Sequence, residues 1–227
     1  MKRRQFTVWL PTLAAGVVMA PQVRALDLSQ GEASAGIRAA LERGALSAVG
    51  LLGREGGFLD NPKVRIPLPG ALESAARLAR LTGQQARVDE LVTAMNRAAE
   101  AAVPQARDML VGAARSITAK DALDIVRGGD TSVTDYFAGK TRAPLTQKFL
   151  PIVSQETRKV ALADKYNALA GQAAGLGLVK SEDANLQSYV TRKALDGLYA
   201  MIGEEERKIR QDPVGTGSAI LRKVFGG

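Results

Sequence analysis

Apolar residues recur every three or four positions along almost the whole chain, the signature of helices that each bury one face. Over 29–52, Ile37, Leu41, Ala45, Ala48 and Leu52 form one stripe, which Gly53, Gly56 and Gly57 bring to an end. Pro69 is suited to start the next helix, which stops at Gly83. Val88, Leu91, Val92, Met95, Ala99 and Ala102 make a stronger stripe. Pro104 must kink or restart it, since proline lacks the amide a helix needs. Ala106, Met109, Leu110, Ala113 and Ile117 continue it.

Thr118 and Asp121 have the spacing of a capping box, opening a short helix that ends at Gly128-Gly129. Separate helices are predicted over 131–139 and 145–160, the second bent at Pro151, and another over 164–174. The longest late helix covers 186–210, with Leu186, Tyr189, Val190, Ala194, Gly197, Leu198 and Met201 on one face. Ile220, Leu221, Val224 and Phe225 predict a small amphipathic turn at the end.

Residues 58–69 break the pattern. Three prolines forbid a helix there, and Val64, Ile66 and Leu68 alternate with Arg65 and Pro67. No second strand-like run offers a partner, so the segment reads as an extended, ordered loop that packs its apolar side chains on the helices. The chain shows no fixed-period repeat and no linker. The predicted fold is all-α, a single-domain bundle of about eight helices.

The first 25 residues read as an export signal. Lys2-Arg3-Arg4 gives a basic start, residues 7–20 are mostly apolar, and Val23-Arg24-Ala25 is a small-x-Ala cleavage site. The apolar stretch is too short to span a bilayer. Arg3-Arg4-Gln5-Phe6 fits the core of a bacterial twin-arginine signal, and Arg24 beside the cleavage site agrees with that route, although Lys2 departs from the commoner Ser or Thr. The expected mature protein is residues 26–227, located in the periplasm.

Export changes the charge. The whole chain carries a formal +8; losing Lys2, Arg3, Arg4 and Arg24 leaves 27 basic and 23 acidic side chains, or +4. That is mild, and no basic run is interleaved with aromatics, so no nucleic-acid partner is expected. No other long apolar run predicts an integral membrane segment. The chain has neither Cys nor His. Disulfides, zinc sites built on those ligands and every Ser-His or Cys-His nucleophile are therefore excluded.

The remaining motifs are weak. Gly139-Lys140-Thr141 ends like a phosphate-binding loop, but position 134 is Thr where the motif needs Gly. Glu204-Glu205-Glu206 point in different directions around a helix and read as a solvated face, with Glu206 spaced to pair with Arg210. No catalytic residue, metal or cofactor is assigned. The best candidate is a ligand-binding groove. Asn96, Arg97 and Glu100 sit beside one apolar stripe, and Tyr189, Lys193 and Asp196 sit beside another. If the two helices face each other, Glu100–Lys193 or Arg97–Asp196 pairs are within reach. The competing reading is a structural ion-pair network.

Several segments together resemble a known family: Gly57-Phe58-Leu59, Ile66-Pro67-Leu68-Pro69, Met95-Asn96-Arg97-Ala98-Ala99-Glu100, Asp121-Ala122, Tyr136-Phe137, the run from Tyr189 through Gly197 to Tyr199, then Glu206, Ile209-Arg210, Asp212-Pro213 and Lys223-Val224-Phe225-Gly226. The family is one of bacterial exported helical proteins catalogued as a domain of unknown function. The resemblance implies one helical domain in the cell envelope and supplies no activity. Many relatives are lipoproteins, but this chain has no Cys to acylate. The expectation is a non-catalytic protein that binds an envelope ligand or partner. The alternatives are a carboxylate-dependent hydrolase of cell-wall glycan and an oligomerising scaffold.

Overall fold

A computed structural model of the chain describes residues 30–129, 131–177, 179–180 and 183–212. The predicted export signal and the predicted turn over 220–225 lie outside the described residues. Among the described residues eight α-helices follow one another: α1 (Gln30–Leu52), α2 (Gly70–Leu81), α3 (Gln85–Ala102), α4 (Arg107–Arg115), α5 (Ala119–Arg127), α6 (Ser132–Thr157), α7 (Ala161–Gly175) and α8 (Leu186–Gln211). No strand occurs among the described residues, and no helix there is long and apolar enough to cross a membrane.

Local chemistry sets many boundaries. Pro104 falls in a 3-10 turn, Val103–Ala106, that joins α3 to α4, so the proline restarts the helix as its missing amide requires. At α5, the Thr118 side chain accepts from the Asp121 amide at 3.1 Å, and the Asp121 carboxylate accepts from the Thr118 amide at 2.9 Å. This is the predicted capping box, and the Thr118 amide and hydroxyl, both donating to the Asp121 carboxylate, hold that carboxyl below its ordinary range. Asn185 caps α8, its side chain accepting from the Ser188 amide at 2.9 Å.

One predicted break is absent. The helices expected over 131–139 and 145–160 are a single helix, α6, with Pro144 and Pro151 inside it. Both prolines are exposed, so the carbonyls deprived of an amide partner face water. The opposite face is buried at Val133, Phe137, Thr141, Leu145, Phe149, Val153 and Thr157. Burial of that face outweighs the lost hydrogen bonds, so the two helices expected over 131–139 and 145–160 are continuous. The Gly139-Lys140-Thr141 motif lies inside this helix, where the buried Thr141 hydroxyl donates to the Phe137 carbonyl at 2.7 Å. A phosphate-binding loop is thereby excluded.

The interior is built around α6 and α8, which pack along each other; α3 lies on α6, and α1 lies on α8 and α4. Alanine fills much of it: Ala98, Ala99, Ala102, Ala106, Ala114, Ala163 and Ala194 are fully buried. With so few aromatics, helices approach closely across these small side chains instead of interlocking large ones.

Candidate functional site

The predicted loop is the element that α3 and α8 share. Residues 65–69 are extended as expected, whereas 54–64 form a series of hydrogen-bonded turns. The turn chemistry explains the difference. Asn61 Oδ1 accepts from the Lys63 amide at 3.1 Å, and Pro62 occupies the corner of the turn closed by Arg65 N donating to Asn61 O at 2.8 Å. Gly57 lets the loop start so abruptly: a Cβ there would lie 2.4 Å from the Leu52 carbonyl oxygen. Phe58, Val64, Ile66 and Leu68 are buried, and Arg65 and Pro67 are exposed.

Buried polar side chains fix this loop from beneath. Glu100 is 4 % exposed. Its Oε1 accepts from the amides of Phe58 (2.9 Å) and Leu59 (3.0 Å), and its Oε2 accepts from Arg97 at 2.7 Å. Asn96 is fully buried and acts as a neighbouring strand would. Its Oδ1 accepts from the Ile66 amide at 2.8 Å, and its Nδ2 donates to the Ile66 carbonyl at 3.0 Å and to that of Val92 at 2.8 Å. From α8, the Tyr189 hydroxyl donates to the Pro67 carbonyl at 3.1 Å. Burial pushes the Tyr189 phenol up to about 12, with Asp183 adding to the shift. Gly197 gives Phe58 its seat, since a Cβ there would lie 2.8 Å from the ring.

The six predicted groove residues therefore divide. Asn96, Arg97, Glu100 and Tyr189 converge, but on the loop backbone and on one another. Lys193 stands over the Tyr189 ring at 5.9 Å and forms no ion pair among the described residues. Asp196 pairs with Arg142 at 2.9 Å, and that guanidinium also lies over the Tyr199 ring at 4.9 Å. Neither the Glu100–Lys193 nor the Arg97–Asp196 pair forms. The inserted loop takes the partners that the helix pattern assigned to the facing helix.

Outside the loop lies an open hollow of about 470 Å3. Arg54, Glu55, Asp60 and Asn61 supply its polar wall, and Leu51 and Met201 an apolar one. Glu55, with its side chain 87 % exposed, reaches Arg97 at 2.8 Å. The hydrogen bond that Arg97 donates to Glu100, with the nearby charges of Glu55 and Asp60, raises the Arg97 pKa above its ordinary value. Three carboxylates thus act on one guanidinium at the edge of the hollow. Sequence reasoning passed over this group. Its only signal was the density of turn-forming and charged residues in Gly53-Arg54-Glu55-Gly56-Gly57 and Asp60-Asn61-Pro62. The Glu204–Glu206 run holds no cation site. Glu204 pairs with Lys63 at 2.8 Å, Glu205 with Lys208 at 2.6 Å, and Glu206 is buried and accepts from Ser132 at 3.4 Å. Among the described residues no three acidic side chains come together to hold a metal.

Fold and site define an all-helical protein whose helices fix one irregular loop through buried polar side chains. The chain belongs to the family described as "Protein of unknown function (DUF4197)", whose model matches residues 27–226. No curated protein and no solved structure matches it.

Proposed function

We propose that this is a bacterial protein exported to the periplasm, where it binds a small solute in the hollow outside the loop and does not transform it. The observation that carries the reading is the set of buried hydrogen bonds to the loop's backbone. Glu100, Asn96 and Tyr189 hold its backbone from within, so the groups on its outer side are preorganised, which lowers the entropic cost of binding. The preferred ligand is polar and carries a cationic group. Glu55, Asp60 and the nearby Glu100 outnumber Arg54 and Arg97, and α1 directs its negative end toward the same loop. An aliphatic part of the ligand would rest on Leu51 and Met201.

The same groups support the non-catalytic reading. Glu55 is exposed and ion-paired with Arg97, not set in the water-excluded pocket that acid–base chemistry favours. With no His or Cys in the chain, Asp60 is the other carboxylate that lines the hollow among the described residues. Among the described residues the large exposed apolar side chains, Leu81, Leu123, Leu150 and Leu176, belong to four separate segments.

Two experiments test the reading. Osmotic-shock fractionation should release the protein with the periplasm, and Arg3→Lys with Arg4→Lys should retain it in the cell. Calorimetric titration with L-lysine, L-leucine and putrescine should find saturable binding by at least one of them. Asp60→Asn should weaken that binding about tenfold. Cytosolic wild-type protein would defeat the assignment of compartment. Absence of binding by all three probes tighter than about 1 mM would defeat the assignment of the site.

A further inference from the structure

The end of the same loop borders a second cavity of different chemistry. It measures about 100 Å3 and lies between the loop, α2, α3 and α7, with Leu68, Leu72, Ala76, Val88, Leu91 and Leu162 on its walls. Every described lining residue is aliphatic, and almost no polar atom of theirs faces the space. Water gains nothing there, because a buried water needs two or more polar partners. Left empty, the slot forfeits the dispersion contacts that a close-packed interior would make.

Size selects among apolar occupants. An engineered cavity of about 150 Å3 holds benzene, so a slot of this volume is too small for an aromatic ring. A slot smaller than that one suits the slim end of an unbranched chain. The surroundings select further. The outward side of α2 carries Glu73, Arg77 and Arg80, all exposed. A partner with a broad apolar face would have to desolvate these charges, whereas an amphiphile leaves its head among them in water. We propose that the slot binds the terminal carbons of a saturated hydrocarbon chain, the tail of an acyl-bearing amphiphile whose head group stays in solvent. This inference is independent of the hollow at Glu55 and Asp60.

Sodium butanoate, hexanoate, octanoate and decanoate, each below its micelle concentration, are the probes, with benzene as the shape control. Affinity should rise with chain length and level off once the slot is full. Ala76→Leu places side-chain carbons in the slot; it should weaken decanoate about tenfold while leaving the melting temperature equal or higher. Nuclear Overhauser contacts from the decanoate terminal methyl to Val88 and Leu91 methyls keep the test open should that variant fold poorly. Asp60→Asn should leave decanoate binding unchanged, which separates this result from failure of the hollow. The inference is overturned by absence of saturable decanoate binding, by undiminished binding to a folded Ala76→Leu, or by benzene binding as tightly as octanoate.

Discussion

The two halves of α3 meet the rest of the molecule through different physics. Over residues 95–102 the helix is buried, and its polar side chains, Asn96 and Glu100, bond directly to the loop backbone. Over residues 85–91 it offers α2 and α7 only Val88 and Leu91, and a cavity remains between them. Directional bonds in a dry setting admit one arrangement of the chain, because each donor left without its acceptor is costly. Apolar contact has no direction and tolerates a gap at a cost proportional to its volume. One end of α3 therefore fixes a backbone, while the other leaves a space for something else.

The difference is broken most severely at Glu100. Glu100→Ala strands one buried and one part-buried amide and the inner edge of Arg97, and urea unfolding should show a loss of about 3 to 5 kcal/mol. Glu100→Gln keeps a carbonyl oxygen for the amides and should lose clearly less; an equal loss would mean that the charge, not the acceptor, holds the loop. Asn96→Ala removes both bonds to Ile66 and should destabilise by about 2 to 3 kcal/mol in the same assay. Gly197→Ala drives a methyl against Phe58 and should cost about 1 to 3 kcal/mol, with a crystal structure showing the ring displaced.

Tyr189 gives the smallest effect at neutral pH and a distinctive one in alkali. An unfolded tyrosine ionises near pH 10, and the native Tyr189 resists until about 12. Below pH 10 neither state is ionised and the contribution is whole. Between pH 10 and 12 only the unfolded state loses its proton, so stability falls by up to about 2 to 3 kcal/mol. Tyr189→Phe should cost about 1 kcal/mol at pH 7 through the lost bond to Pro67. It should also flatten part of the alkaline decline. Burial raises Tyr166 and Tyr199 in the same direction, so some slope remains.

The legible parts of this molecule were local ones. The capping box at Thr118 and Asp121, the restart at Pro104 and the apolar alternation at Val64, Ile66 and Leu68 each depend on residues a few positions apart. The candidate groove was legible as a set of polar side chains beside apolar stripes, which drew attention to Asn96, Arg97, Glu100 and Tyr189. Their partners were not legible. Glu100 meets Phe58 across 42 positions and Tyr189 meets Pro67 across 122, and no periodicity encodes which backbone group will arrive opposite a buried carboxylate.

By itself the sequence determined a helical bundle without disulfides, imidazole chemistry or thiol chemistry, because stripe spacing and residue type need no knowledge of neighbours. The tertiary structure decided that α6 runs unbroken through Pro144, that Asp196 turns to Arg142, and that buried polar groups of α3 and α8 bond to a loop instead of to each other. The reason is physical. Burying a continuous apolar face outweighs a missing helix hydrogen bond, and a buried polar group settles on whichever partner packing brings within reach.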